Sequence, residues 1–216
     1  MVTDAVSFPD FHCFASNQTG NTVFLMLAAA LPEMNGDWFI TANIGMALGM
    51  FIAGAWVTGQ LGHLIGPRRR LWLIICNFIQ TCLVFATAAL QYVHGIDLYG
   101  PKTLMCIAFL AFAAGSQVVQ SRSLQMTEIT TAMATAAWLD LIIDRDLLAA
   151  KNRPRNRRAA FLASLVLGSL AGAYMFKDVG SAAAIAVSGA GKLLVTLMYF
   201  FSPEDQEKPE KDEELA

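Results

Sequence analysis

Charged residues are scarce in this chain, at 15% of its 216 residues, whereas an ordinary soluble domain has about a quarter. Four stretches contain none at all: 38–62, 71–93, 103–121 and 159–176. Each is close to the roughly 20 residues that an α-helix needs to cross the hydrocarbon core of a bilayer. The composition therefore excludes a soluble globular protein. It predicts an all-α, multi-pass integral membrane protein surrounded by the lipid bilayer.

Residues that build active sites and metal centres are few and scattered. The three histidines stand apart, and the sequence has no zinc-protease pair, nucleophile elbow or phosphate-binding glycine loop. The four cysteines lie in or beside apolar stretches without the paired spacing of metal ligands, and such cysteines usually pack as small apolar residues. We therefore expect no enzyme activity, metal or cofactor. A hydrolase that pairs Asp4 with Asp140 remains an open alternative.

Apolar segments predict six membrane spans, at roughly 5–31, 38–62, 71–93, 103–121, 159–176 and 181–201. Basic residues concentrate in the second gap, at 68–70, and in the fourth, at 145–158, while the first, third and fifth gaps hold at most one lysine each. Because short basic loops stay on the cytoplasmic side, both termini are expected to be cytoplasmic. The same rule accounts for the basic loop at 145–158, so no nucleic-acid partner is needed to explain it.

The chain is predicted to form one transmembrane domain, 1–202, followed by an acidic tail. The tail, 203–216, holds seven acids and two lysines without an aromatic residue, so we expect it to be disordered and cytoplasmic. Segment 125–147 is too polar at first and then too short to make a clean span, and whether it spans or re-enters is left open. The first apolar segment begins almost at Met1, as though part of its helix lay upstream.

The two halves of the membrane domain share a weak pattern. When Thr19 is laid on Thr135, a polar patch of small residues enters an apolar helix in each half, and two further spans follow. This predicts a 3+3 inverted repeat, with halves 1–95 and 102–202 and a broken first helix in each, as in many secondary transporters. Chance is the alternative, because small and apolar residues recur in all membrane helices.

The opening segment carries a more specific signature. It reads DAVSF at 4–8, has Phe14, and continues with QTGNTV at 18–23. In this it resembles the YoaK-like family of integral membrane proteins, which are found in bacteria and fungi. The order of the second patch, the basic loop and two last spans is also similar to that family. The resemblance implies a membrane domain of unknown function and no particular activity.

A looser resemblance lies after the second span. The segment GQLGHLIGPRRR at 59–70 is similar to the loop motif of major facilitator transporters, including Gly59, Gly66, Arg68, Arg69 and Arg70. His63 stands where that superfamily has an aspartate. The resemblance implies a six-span half-transporter, so two copies would be needed to enclose a path. A homodimer is the corresponding expectation.

Polar side chains within the spans are the candidates for function, because a charge at mid-helix costs roughly 2.5–3.5 kcal/mol on insertion scales. They could line a solute path or act as hydrogen-bonding contacts between helices. The candidate path residues are Asn17, Gln18, Thr19, Gly20, Asn21, Gln117, Gln120, Thr130, Thr131 and Thr135.

Lys192 is the charge that most needs a partner. It lies about ten residues from either end of the last span, or roughly 15 Å from each interface. We expect it to face Asp4 or Asp10, in either an ion-coupling pair or a structural one. Asp140 is expected to pair with an arginine of the basic loop.

These features favour a transporter-like protein for a small polar or ionic solute, in which the two halves rock to give alternating access. The solute, the coupling ion and the cell membrane cannot be read from the sequence. The alternative is a non-transporting scaffold or assembly partner that binds other helices.

Overall fold

The computed structural model describes residues 2–124, 134–147 and 151–201, and all regular elements in these ranges are helices. A single 3-10 turn, Pro32–Met34, accompanies them. The α-helices are α1 (Val2–Phe11), α2 (Gln18–Ala30), α3 (Thr41–Ile65), α4 (Arg70–His94), α5 (Pro101–Ser123), α6 (Ala134–Ile142), α7 (Arg153–Asp178) and α8 (Ser181–Phe201). The predicted all-α class is confirmed. The acidic tail, 203–216, lies outside the described residues, and its disorder stays a prediction.

Five of the helices are long and apolar enough to cross a membrane: α3, α4, α5, α7 and α8. They cover five of the six predicted spans, and the chain is a multi-pass integral membrane protein. The remaining predicted span, 5–31, is the first in the chain. It is wrong as one continuous span because the chain leaves the helix between Phe11 and Gln18. His12 there adopts a positive φ of 52°, a backbone region that interrupts a right-handed helix.

The short links between helices follow ordinary end signals. α3 ends where Gly66 takes a φ of 105°, a conformation that costs glycine little. α5 begins with Pro101 and α7 carries Pro154 in its first turn, where a missing backbone N–H is harmless. The Asn152 side chain caps α7 by accepting a hydrogen bond from the Arg155 backbone N–H.

Helices α3 and α5 approach each other very closely at two glycines. A methyl group added to Gly54 would lie 2.3 Å from the carbonyl oxygen of Phe112, and one added to Gly115 would lie 2.1 Å from that of Phe51. Such distances are far inside van der Waals contact, so only glycine permits this approach.

The helix contacts follow one pattern for the first four α-helices and the same pattern for the last four, including the contacts between the two sets. α3 packs on α5 and α7 packs on α1; α4 packs on α5 and α8 packs on α1; α2 packs on α3 and α6 packs on α7. α4 and α8 also pack against each other. Exchanging α1–α4 with α5–α8 therefore maps the first six pairs onto one another and the α4–α8 pair onto itself. The opposite orientation of the two halves in a membrane stays a prediction.

One end of the bundle is built around the last residue of α1. The Asn43 side-chain amide, near the start of α3, donates hydrogen bonds to the carbonyl oxygens of Phe11 and Leu98, at 2.8 and 3.1 Å. We call this the Phe11 end. It brings together the end of α1, the start of α3 and the loop between α4 and α5.

The opposite end, which we call the arginine end, is tied by the loop between α3 and α4. Arg68 donates to the carbonyl oxygen of Ser123 at the end of α5, and Arg70 donates to that of Tyr199 near the end of α8. The last carbonyls of a helix lack intrahelical partners and attract cations. The two arginines therefore hold two helix ends in place.

Candidate functional site

α4 carries a row of buried polar side chains along one face. The members are spaced by three, one, six and four residues, which keeps them on one side of a helix; they are Asn77, Gln80, Thr81, Thr87 and Gln91. Thr81 and Thr87 donate to carbonyl oxygens four residues earlier in α4. The amides instead reach side chains on neighbouring helices, so this row connects α4 to its surroundings.

Lys192 lies where three of the long helices meet. Its ammonium nitrogen on α8 donates to Oε1 of Gln80 on α4 and to Oε1 of Gln117 on α5, each at 2.8 Å. The lysine is half-buried, and Gln117 is exposed. An ammonium has three N–H donors, and both of its side-chain acceptors here are uncharged amides. We call these three residues the lysine cluster.

A second layer of hydrogen bonds orients the amide of Gln80. Its Nε2 donates to Oγ of Ser116 at 2.9 Å and to Oε1 of Gln120 at 3.0 Å. Oε1 of Gln120 also accepts from Nδ2 of Asn77, at 3.3 Å. With its nitrogen engaged in this way, Gln80 presents its oxygen to Lys192. The structure thus brings together Gln117, Gln120 and Lys192, three of the residues expected to matter for function.

The expected ion pair between Lys192 and Asp4 or Asp10 is wrong. Asp10 bonds to Ser181, which precedes Lys192 by eleven residues on α8, or about 16 Å along the helix axis. Asp4 accepts from the backbone N–H and the hydroxyl of Ser16. Asp10 thus lies about three helical turns from the lysine along α8, and Asp4 is engaged by the segment between α1 and α2.

Asp10 forms its own cluster with two buried partners. Its Oδ2 accepts from the Ser181 hydroxyl and from Nε2 of Gln91, the latter at 3.2 Å. All three residues are buried. Among the residues that the structure describes, Oε1 of Gln91 has no hydrogen-bond partner. We call Asp10, Gln91 and Ser181 the aspartate cluster.

The patch from Asn17 to Asn21 serves the break between α1 and α2. Oδ1 of Asn21 accepts from the Phe14 backbone N–H at 2.9 Å, and its Nδ2 donates to the Phe14 carbonyl oxygen at 2.7 Å and to Oε1 of Gln18 at 2.8 Å. The Asn17 side chain caps α2 at the Gly20 N–H. These bonds replace those that the backbone loses at the break.

The neighbours of this patch fit the same local role. A methyl group added to Gly20 would lie 3.0 Å from the Phe14 ring, so glycine lets the ring pack against the turn. Thr19 is exposed. The predicted role of the patch in a solute path stays a prediction.

The second predicted patch is only partly visible. Thr130 and Thr131 lie outside the described residues, while Thr135 is exposed in the first turn of α6. Nearby, Arg158 approaches the carboxylates of Asp140 and Asp144, at 3.6 and 3.8 Å. The expected pairing of Asp140 with an arginine of the basic loop is confirmed.

The loop candidates between α3 and α4 have structural contacts. Beyond the helix-end bonds of Arg68 and Arg70, the Arg69 side chain folds over Gly66, whose added methyl group would lie 3.0 Å from it. A methyl group on Gly59 would meet Val119 at 4.0 Å, an ordinary contact. These contacts are structural, and the gating role of the loop stays a prediction.

Sequence reasoning missed the α4 side of the site, including Asn77, Gln80 and Gln91. The signal was present, because these polar residues fall on one side of a helix in an otherwise apolar stretch. Ser116 and Ser181 were missed too. Serine is so common in membrane helices that nothing in the sequence distinguishes these two.

Comparison with known proteins gives one match. A family model described as protein of unknown function (DUF1275) matches residues 2–198. No curated protein and no solved structure matches the chain.

Proposed function

We propose that this chain, which belongs to the DUF1275 family of proteins of unknown function, is a transporter-like protein for a small polar or ionic solute. The observation that carries the proposal is Lys192, held by Gln80 and Gln117 among three long apolar helices. Ionisable residues inside a membrane face the protein interior or a watery cavity, and they commonly mark ion and solute pathways.

The surroundings of Lys192 support a solute path rather than a dry contact between helices. α5 and α8 each pack on α4, and the bond from Lys192 to Gln117 bridges these two neighbours of α4. Gln117 is exposed, and an exposed amide beside a lysine is unfavourable against lipid. Water, a solute or another protein surface is therefore required at this point. The proposal therefore includes a gap between α5 and α8 at the lysine cluster, which we call the α5–α8 crevice.

The recurrent packing of the two halves supplies the mechanism in this proposal. Two units with equivalent contacts can rock against each other around a site near their interface, which gives alternating access. α1–α4 and α5–α8 are the units, close to the expected halves 1–95 and 102–202. Because basic loops stay inside, the arginine end and both chain termini are assigned to the cytoplasm.

Water access at Gln117 tests the proposal. In a cysteine-free background, a single cysteine replaces Gln117, and a membrane-impermeant thiol reagent is applied from each side of sealed vesicles. Leu194, which lies on α8 and is exposed like Gln117, provides the matched control for a lipid-facing position. We expect Gln117→Cys to react and Leu194→Cys to be protected.

Protection of both cysteines, with a reactive loop cysteine as positive control, would rule out a wet crevice. It would favour the alternative, a scaffold whose lysine cluster is covered by another helix. Reactivity at Gln117 from both sides would be the pattern expected of alternating access.

A further inference from the structure

We infer that the α5–α8 crevice binds a small monovalent anion through the ammonium group of Lys192. The inference names the solute class for the proposed function and rests on that function for its setting. Binding itself can be measured without transport, so the two ideas can fail separately.

The first argument is charge. Both side-chain partners of Lys192 are neutral amides, and the ion pairs between described residues join Arg158 to Asp140 and Asp144. In the described part of the chain, Lys192 therefore has no carboxylate partner. A cation in a low-dielectric setting is stabilised most by an opposite charge at contact distance. A bound anion would supply that charge.

The second argument is the donors available. Two of the three ammonium N–H groups are directed to Gln80 and Gln117, which leaves one for a ligand. Nε2 of Gln117 makes no hydrogen bond to the residues that the structure describes, and it belongs to the exposed member of the cluster. The ammonium of Lys192 and the amide of Gln117, joined by a 2.8 Å bond, thus each keep an N–H donor. Both donate hydrogen bonds, as an anion requires.

The third argument is the orientation of Gln80. Ser116 and Gln120 hold its Nε2, so its oxygen stays on the ammonium. This bond anchors Lys192 without neutralising it. An acid at either amide position would cancel the charge, so the choice of amides keeps a single positive charge free for a monovalent ligand.

Nitrate provides a simple probe. The purified full chain in phosphatidylcholine nanodiscs is melted in sodium gluconate, which is replaced stepwise by sodium nitrate at constant ionic strength. A ligand that binds the folded state raises the melting temperature with a saturable concentration dependence. We expect such a rise for the native chain. A control series with sodium formate tests a carboxylate of similar size.

Three variants locate the binding site. Lys192→Met removes the charge and should weaken nitrate binding by roughly tenfold to hundredfold, as expected for one charge-assisted hydrogen bond. Lys102→Met is the matched control, because Lys102 is an exposed lysine at the start of α5. It should leave the nitrate response unchanged.

If Lys192→Met fails to fold, Gln117→Glu tests whether nitrate binds at the lysine cluster. It places a carboxylate where the amide oxygen now accepts from Lys192, at 2.8 Å. This internal anion should compete with nitrate and abolish the saturable rise in melting temperature, while the fold is retained. An undiminished nitrate response in Gln117→Glu and Lys192→Met would overturn the assigned site. The absence of any saturable response to nitrate or formate in the native chain would overturn the inference.

The experiments distinguish the anion site from the solute path. A nitrate response that depends on Lys192, together with a Gln117→Cys protein that is inert to the thiol reagent, would sustain the anion site and reject the path. A reactive Gln117→Cys with no anion response would reject the anion and keep a path for a cation or a neutral solute.

Discussion

The aspartate cluster and the lysine cluster include bonds between helix pairs that correspond when the two halves are exchanged, α1 with α4 and α5 with α8. Asp10 on α1 reaches Gln91 on α4, and Gln117 on α5 reaches Lys192 on α8. When α1–α4 are exchanged with α5–α8, the first helix pair becomes the second. One pair carries an acid and the other a base, each bonded to neutral partners. The two corresponding helix pairs thus carry side chains of opposite charge.

The two clusters also differ in exposure. Asp10, Gln91 and Ser181 are all buried, at 4%, 4% and 3% exposure, whereas Lys192 is half-buried beside the exposed Gln117. Buried donors and acceptors that lose a partner destabilise a fold, while accessible ones can turn to water. The comparison therefore predicts that the aspartate cluster supports stability and the lysine cluster supports binding.

Asp10→Leu should produce the largest effect. It leaves the Ser181 hydroxyl and Nε2 of Gln91 without their acceptor inside the core, so the free energy of unfolding should fall by about 2–5 kcal/mol. Asp10→Asn, which keeps an acceptor oxygen, should lose clearly less. Thermal unfolding in nanodiscs measures both. Equal losses in the two variants would mean that the charge, and not hydrogen bonding, is what this cluster needs.

Gln80→Leu should have an intermediate effect on both properties. It removes bonds to Ser116, Gln120 and Lys192, and interhelical hydrogen bonds in membranes are worth about 0.6 kcal/mol on average and about 1.7 at most. Three such bonds at the average value amount to about 2 kcal/mol, and we expect a stability loss of that size, together with weaker nitrate binding because the lysine loses its anchor. Unfolding and nitrate titrations on the same samples test this. A nitrate response of native strength would show that Gln80 does not position Lys192.

Lys192→Met should have the smallest effect on stability. The charge is costly to keep among apolar helices, and replacing it with a flexible apolar side chain should change the free energy of unfolding by about 1 kcal/mol or less. The same variant should lose the nitrate response. Denaturation of Lys192→Met beside Asp10→Leu gives the comparison directly. If the lysine variant proved the less stable of the two, the assignment of roles to the clusters would be reversed.

Features that depend on local composition could be predicted from the sequence, whereas features that depend on particular side-chain contacts could not. The lack of charge over about 20 consecutive residues locates α3, α4, α5 and α7, and the apolar composition of 181–201 locates α8 despite Lys192, because transfer to hydrocarbon depends on local composition. A broken first helix was predicted, but the position of the break, between Phe11 and Gln18, was not. It depends on the Asn21 side chain reaching Phe14, and hydropathy does not detect a bond of that kind.

By itself, the sequence determined that the chain is helical, that it crosses a membrane several times and that Lys192 lies deep within a span. Only the tertiary structure decided what Lys192 meets. A lysine at a given depth can face lipid, an acid or an amide, according to the rotation of its helix and the neighbours packed around it. Here α4 and α5 bring Gln80 and Gln117 to the lysine and leave Asp10 about 16 Å along the helix. These contacts lie 75 to 171 residues apart in the chain, so they depend on packing between helices rather than on any local pattern.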